Sequence, residues 1–495
     1  MQSLLDNNCH ETFDIELKEA GVQLPQSFWE TYSSFANTAG GYIILGMKEK
    51  PVVTVTGVSD AHKLITDMCN LANSKEKVSA NLIENDNIYV RQINGKTVVV
   101  VYVPEMNEAQ KPLYLKGNLK YTYIRKNEGD YLATTEDLRR FIRNSQDNLD
   151  SELLDDYTLE DLESSSVLRF KNDVHGRAPS KRYLQMDDLE FLSEMGIFQI
   201  DRKDKRKKKL TVAGLLFLGK FDAIKAKLPH FHLEYLNFRG ATGNSTRWKD
   251  RVSAGDLAYP NLNLYEFYSK VYGKLRITVE DTFALDERCV RKSSTELEEA
   301  LQEALVNMLV HADYFDAESA VKVEVHSLFY TFENPGNLKV SKVQFFNGGK
   351  SVPRNNTLIQ FFRHMGVSDR AGTGGRDIFN MAELNKYRLP ELTTDLQSTQ
   401  LKLWVASPID TYPDLDKNAK IIAEYLIEKK RATAKEIKNA KKMSSYYFRQ
   451  AMPELLAKKL VFATGKGRAT EYVWNISMVE QLDMINKLQR LVLKS

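Results

Sequence analysis

The sequence predicts a multi-domain α/β protein that ends in a small basic module, and three observations carry that reading. The chain has 495 residues, enough for three or four domains at about 100–200 residues each. Apolar patterns of helical period and of strand period alternate through residue 145. The charge is unevenly spread: residues 417–495 hold 17 Lys+Arg against 7 Asp+Glu, while the whole chain is only +3. Apolar residues at 42% and charged residues at 27% exclude a largely disordered chain.

The first region reads as α/β over residues 1–146. Phe28, Tyr32, Phe35 and Ala36 fall at helical spacing in Ser27–Asn37, and Gly40-Gly41 ends that helix. Strand-like runs follow at 42–46, 88–91, 97–102 and 120–124. Thr134 and Asp137 have the spacing of a capping box and open a helix through Ile142. The acidic, Ser-rich stretch 147–166 reads as a hinge leading into a middle α/β region that extends to 290. Leu210–Gly219 is the longest apolar run and is half a membrane span, so no transmembrane segment is expected. The basic run 201–209 reads as a solvated turn, with phosphate binding as the sharper alternative. No secretory leader is visible, and Cys9, Cys69 and Cys289 lie too far apart for a CxxC site. The expectation is a reduced, cytoplasmic protein.

The region 415–476 reads helix, helix, helix, hairpin. Ile421, Ile422, Tyr425 and Leu426 mark the first helix, Thr433 can cap the second, and Ser444 can cap a third through Leu456. The hairpin tip carries Lys466 and Arg468. This is the layout of a winged helix-turn-helix, in which the third helix enters a major groove and the wing grips phosphate. Tyr446, Tyr447, Arg449 and Gln450 fall on the outward side of that third helix. DNA is therefore the expected partner, with a protein-docking module as the alternative. Residues 477–495 read as a terminal helix.

Between them, residues 291–408 carry a second constellation. Glu303, Asn307 and His311 recur every four residues along one stripe of a helix, while Leu297, Leu301, Leu305 and Met308 take the other side. A carboxylate, an amide and an imidazole so aligned suit a nucleotide site: Asn can hold Mg²⁺ against phosphates, and Glu can orient or deprotonate water. The segments 333–336 (ENPG), 351–355 (SVPRN) and 372–375 (GTGG) follow in order, and Gly-rich backbone can approach phosphate closely.

These motifs resemble a known family. The stretch 298–314, followed by FENPG, SVPRNN and AGTGGR, resembles the divergent histidine-kinase-type (GHKL-like, HATPase, Bergerat-type) ATPase domain, an α/β sandwich. In Schlafen-related bacterial transcriptional regulators that domain follows an AlbA-like domain. ETFDIELK, SFANTAGGYIILG and YTYIRK resemble the Schlafen AlbA-like nucleic-acid-binding domain, and 210–220 resembles a further signature of the same proteins. The resemblance covers residues 8–410, and the tail resembles the winged helix often appended to such proteins.

The resemblance implies ATP and Mg²⁺ as cofactors, with Glu303 as general base and Asn307 as the magnesium-holding residue. It implies that Asn334 stands where an adenine-binding Asp is usual, and that Gly336, Gly372, Thr373, Gly374 and Gly375 form phosphate or adenine loops; His311 and Arg354 complete the expected site. Two positions depart from the pattern, Asn334 for Asp and Leu338 for the second Gly of D-x-G-x-G. An Asn amide oxygen still accepts from the adenine amine. The segment 345–356, with its basic flank at Lys350 and Arg354, stands where such ATPases keep a lid. In the N-terminal domain, ribonuclease relatives use paired glutamates and a third acid; Glu11 and Glu16 with Glu49 are the candidates here. The favoured reading gives that domain nucleic-acid binding through Lys18, Lys120, Arg125 and Lys126. The expected whole is an ATP-responsive, DNA-binding transcriptional regulator, a homodimer, with a nuclease or phage-defence effector and a non-catalytic scaffold as alternatives.

Overall fold

The computed structural model describes residues 13–49, 53–146, 148–177, 181–204, 207–240, 247–284, 291–316, 320–340, 342–348, 352–368, 374–465 and 470–475. The chain divides into two compact units, Met1–Asp147 and Asn148–Ser495. The expected terminal helix over 477–495 lies outside the described residues.

The first unit is built on a four-stranded sheet. Ile15–Lys18 runs parallel to Gly41–Leu45, which pairs antiparallel with Lys96–Val103, and that strand pairs antiparallel with Ile88–Ile93. The helix Ser27–Asn37 lays Phe28, Trp29, Tyr32 and Phe35 on Ile43, Leu45, Val99, Val101 and Val103. Each fully buried large apolar side chain contributes about 1.5–3 kcal/mol. Gly41 is small because the helix comes too close: a Cβ there would strike the Phe35 ring and the Asp14 carbonyl. Asn37 is a tie rather than a surface group; its Nδ2 donates to the Leu113 and Tyr123 carbonyls, at 2.8 and 2.9 Å, and its Oδ1 accepts from Leu113 N. The Thr134–Asp137 capping box is present and starts the helix Thr135–Ser145. The strand expected at 120–124 lies at Tyr123–Lys126, because the Asn118 side chain accepts from Lys120 N and a short 3₁₀ turn occupies Leu119–Tyr121.

The second unit contains a mixed six-stranded sheet in the order Asp250–Ser253, Leu233–Asn237, Val321–Val325, Phe329–Pro335, Ser398–Trp404, Glu391–Thr394. Leu233–Asn237 and Val321–Val325 are parallel, and every other neighbouring pair is antiparallel. One apolar cluster extends from Leu154 to Leu403. The boundary expected at 290 is therefore crossed by the sheet itself, and the helices Leu264–Ala284 and Arg291–His311 pack together across it. Tyr272 donates to Glu298 at 3.0 Å and Gln302 donates to the Tyr268 hydroxyl at 2.7 Å along that helix pair.

Of the expected hinge 147–166, the described residues 148–166 are part of the second unit. Asp150 is 0% exposed and accepts from Thr357 N and Leu358 N at 2.7 and 2.9 Å, capping the helix Asn356–Met365, while Leu154 and Leu162 enter the core. Acidic and Ser-rich composition suggests solvent, but one carboxylate is committed to orphan helix N–H groups. The apolar run 210–219 becomes a core helix, Val212–Leu218, every residue of which is buried and whose start is capped by Thr211. Among the described residues no helix is long and apolar enough to cross a membrane.

After Trp404 the chain forms a helix Lys417–Lys429, a strand Arg431–Thr433, helices Ala434–Ala440 and Ser445–Ala457, and strands Val461–Thr464 and Glu471–Trp474. Glu471–Trp474 lies between the other two strands, antiparallel to both. Thr433 and Glu436 make a capping box, and Ser444 caps the third helix. Ile422, Leu426, Ile437, Phe448, Met452, Leu455 and Trp474 fill the core of this small module.

The shared sheet yields a first prediction. A chain starting at residue 291 lacks the parallel neighbour of Val321–Val325 and the helix that covers Arg291–His311, and should show no cooperative melting transition. A chain spanning 148–410 should melt cooperatively. Equal behaviour of the two in calorimetry would place the boundary at 290 after all.

Candidate functional site

The helix Arg291–His311 presents Glu303, Asn307 and His311 to a cleft because Leu297, Leu301 and Leu305 lock its other side into the core; Met308, expected on that other side, lines the cleft instead. Asn307 Nδ2 donates to Glu303 Oε1 at 3.0 Å. Both line a cleft with Ala304, Met308, His311, Asn334 and Leu338. Gly374 and Gly375, Lys339, Ser368 and Thr399 are also on its wall. The cavity volume of the cleft is about 90 Å³, and all the space within it, open solvent at the mouth included, is about 940 Å³. A small-molecule pocket is typically ~300–1,000 Å³, so a nucleotide needs the mouth as well as the cavity.

The two glycines are dictated by contact. A Cβ on Gly374 would run into the Glu303 carboxylate, and one on Gly375 into the Phe345 carbonyl. These residues open the helix Gly374–Leu384, so its N-terminal turn faces the Glu303 carboxylate. The positive end of the helix dipole favours an anion there. Gly372 and Thr373, the other expected loop residues, lie outside the described residues.

Asn334 is buried on the strand Phe329–Pro335, where its Nδ2 donates to the Pro335 carbonyl at 3.0 Å. Its register partner is Thr399, whose hydroxyl donates to Gly336 O at 2.9 Å and lies 3.0 Å from the Thr394 hydroxyl. Thr394 in turn accepts from Leu338 N at 3.0 Å. Sequence reasoning missed Thr399, Thr394, Lys339 and Ser368, since their place follows from strand register and loop path, neither of which leaves a motif. Leu338 lies in the cleft wall and packs against the core.

Arg354 is a correction. Its Nε donates to the His311 carbonyl at 3.1 Å, and its Nη2 donates to the Asn337 carbonyl and side chain, both at 3.0 Å. The guanidinium lies against Gly336, whose φ of +90° and missing Cβ both suit glycine. It braces the cleft from behind rather than lining it. The neighbouring Asn355 donates to the Val310 and Ala312 carbonyls at 2.9 and 2.8 Å. Burial, with help from the charges of Arg354 and Lys339, lowers the pKa of His311 to about 4, so the imidazole in this cleft is neutral at physiological pH.

The expected nucleic-acid residues separate into two groups. Lys18 is 8% exposed and pairs with Glu16 at 2.9 Å; Arg125 is 3% exposed and pairs with Glu16 and Asp130, each at 2.9 Å. Asp130 also accepts from the Thr31 and Ser34 hydroxyls. Burial and pairing withdraw Lys18 and Arg125 from any surface a phosphate could reach. Lys120 is exposed over the Tyr121 ring, and Lys126 is exposed 3.9 Å from Asp137. Glu16 serves the ion-pair network, Glu11 lies outside the described residues, and among the described residues no three acids, histidines or cysteines cluster as metal ligands. In the C-terminal module Tyr446 is 67% and Tyr447 51% exposed, and Arg449 and Gln450 are exposed beside them. Lys466 and Arg468 lie outside the described residues.

Three family models match parts of this chain. Residues 11–134 match the Schlafen AlbA_2 family, and residues 318–403 match HATPase_c_4, described as "Putative ATP-dependent DNA helicase recG C-terminal". Residues 139–234 match a domain of unknown function, DUF8451. These matches define a protein that joins an AlbA-like domain to an ATPase-like domain. The family-model matches support a relationship to Schlafen AlbA-like proteins that also carry an ATPase-like domain. Among solved structures, the DIP2311 protein from Corynebacterium diphtheriae is 13% identical, with 96% of this chain and 98% of that chain covered, at a TM-score of 0.37. The N-terminal domain of a RecG-related protein from Nitrosomonas europaea is 27% identical over 27% of this chain and 91% of that chain, at a TM-score of 0.19. No curated protein matches this chain.

Two outcomes follow from the cleft wall. Gly336→Ala forces a strained φ and presses on Arg354, and should destabilise the protein by about 1–3 kcal/mol, read as a lower Tm. His311 has a folded pKa of about 4 against an unfolded value near 6.5, so the unfolded chain holds more protons between them. Its contribution to stability is therefore complete above about pH 6.5 and is lost as pH falls toward 4. His311→Gln should show a shallower fall in Tm than wild type between about pH 7 and 5; parallel curves would clear this imidazole.

Proposed function

We propose that this chain is an ATP-binding, DNA-binding regulatory protein of the cytoplasm, in which a GHKL-like nucleotide domain acts together with nucleic-acid-binding end domains. The observation that carries the reading is the convergence of Glu303, Asn307, His311, Asn334, Gly374 and Gly375 on one cleft, from three separated stretches of sequence. A phosphate chain with Mg²⁺ fits this donor set: an amide oxygen at Asn307, a carboxylate at Glu303, and a helix N-terminus with no Cβ in its first two residues. Bound magnesium would neutralise phosphate charge. Asn307 would hold it, Glu303 would orient or deprotonate an attacking water, and Asn334 with Thr399 would read the base from the sheet side. Leu338, in place of glycine, fills the wall with apolar surface on that side.

The helix–strand–helix–helix–strand–strand order after residue 415 supports reading the C-terminal module as a winged helix. Tyr446, Tyr447, Arg449 and Gln450 on Ser445–Ala457 would then meet the major groove, and Lys466 and Arg468 would grip backbone phosphate. Two such modules in a homodimer would read two half-sites, and ATP and DNA would change one another's affinity by the same factor.

The test is titration calorimetry with ATP and Mg²⁺. Asn307→Ala should weaken binding roughly 10- to 150-fold, the loss of one charge-assisted interaction of about 1.5–3 kcal/mol. Glu303→Ala should retain binding and lose any hydrolysis. Wild type that binds no adenine nucleotide at millimolar concentration would reduce the chain to a scaffold. On DNA, neutralising Lys466 and Arg468 should weaken all sequences alike and flatten the salt dependence by about 0.9 for each phosphate left unneutralised. Changing Tyr446 or Gln450 should alter sequence preference instead.

A further inference from the structure

We propose that the hairpin formed by Phe198–Ile200 and Lys208–Thr211 is a second contact for a nucleic-acid backbone, within a segment to which the regulator reading assigns no ligand. It rests on that reading only for the class of partner. Residues 201–209 hold seven cations against two carboxylates. The hairpin root is rigid: Phe198 and Leu210 are buried, paired with each other, and Leu210 pairs onward with Leu154.

The acids are already engaged. Lys209 Nζ is held by Asp155 at 2.5 Å, Asp201 at 2.7 Å and Asp204 at 3.4 Å, and Asp204 also meets Lys207 at 3.2 Å. These bonds raise the pKa of Lys209, with Asp155 the largest cause, and they account for its charge structurally. Beyond Lys207 and Lys209 they account for no other cation among the described residues of the run. Arg202, Lys203 and Lys208 are exposed and have no carboxylate partner among the described residues.

Crowded, uncompensated cations repel one another and favour a polyanion. A duplex, with one charge per roughly 1.7 Å of axis, is such a partner and releases counterions when cations replace them. The cleft beside the hairpin is lined by Lys203, Lys207, Lys208 and Lys209, with the carboxylates of Asp155 and Asp204 that hold Lys209, and by Tyr157 and Thr158. Its single ring, Tyr157, is half-buried with its hydroxyl near Ala223 O, so the described lining of this cleft offers no open stacking platform for bases. The contact is therefore to phosphates and independent of sequence. On the described residues of the hairpin Ile200 is the one large exposed apolar side chain, less than a lipid-inserting element buries.

The experiment uses the full chain and a duplex of mixed sequence at several salt concentrations. Arg202→Gln/Lys203→Gln/Lys208→Gln should weaken binding about three- to thirtyfold at low salt and flatten the slope of log K against log salt by about 0.9 for each phosphate these side chains neutralise. Its nucleotide affinity and Tm should match wild type. In wild type, the duplex should protect Lys203 and Lys208 from acetylation, a measurement that needs no variant. Unchanged affinity and slope, or equal acetylation with and without duplex, would overturn the proposal while leaving DNA binding by the C-terminal module intact. Wild type that binds no duplex would overturn both. Binding to phosphatidylserine vesicles in place of duplex would overturn it in favour of a membrane contact.

Discussion

The carbonyls at the C-terminal end of the helix Arg291–His311 must be satisfied, and the whole cleft depends on how this is done. An α-helix leaves its last four carbonyls without intrahelical partners, and buried ones cannot turn to water. Here Asn355 bonds Val310 O and Ala312 O, and Arg354 bonds His311 O. Arg354 then reaches Asn337 across Gly336, which ties the helix end to the exit of the strand Phe329–Pro335. The ENPG and PRN motifs are thus two halves of one clip. It holds the Glu303–Asn307–His311 stripe at a fixed angle to the strand that carries Asn334.

Much of this arrangement can be read from the sequence, and the limits have physical causes. The stripe at 303, 307 and 311 follows from helical period alone, and the glycines at 374 and 375 announce a close approach. Arg354 misleads because a cation beside a Gly-rich stretch looks like a phosphate ligand until its three bonds to backbone and Asn337 are seen. Thr399 leaves no signal, since its partnership with Asn334 is a matter of register between strands far apart along the chain. The pairing of Leu233–Asn237 with Val321–Val325 across residue 290 is not legible either, because composition reports local chemistry.

The N-terminal unit shows the same contrast between charge and availability. Lys18, Arg125, Glu16 and Asp130 form one shielded network under Thr31 and Ser34, and Arg125 also lies over the Phe35 ring. Removing one member would strand a buried charge, which is why such groups are poor candidates for a reversible surface contact. Charged side chains beside glycine turns in a sequence do not disclose whether they face water or each other. Of the four cations expected to meet nucleic acid in this unit, Lys120 and Lys126 are the exposed ones.

The parallel pairing of Leu233 with Val321 spans 88 positions. Loop-closure entropy must be met before that contact returns any enthalpy or burial, and non-local pairings of this kind slow folding. The strands of the first unit find all their partners before residue 133. On the ribosome, that unit can be complete while the central sheet still waits for Ser398–Trp404 to be synthesised. During that interval the strand Phe329–Pro335 has an open edge where Ser398–Trp404 will pair, and an unpaired strand edge is a template for association with other chains.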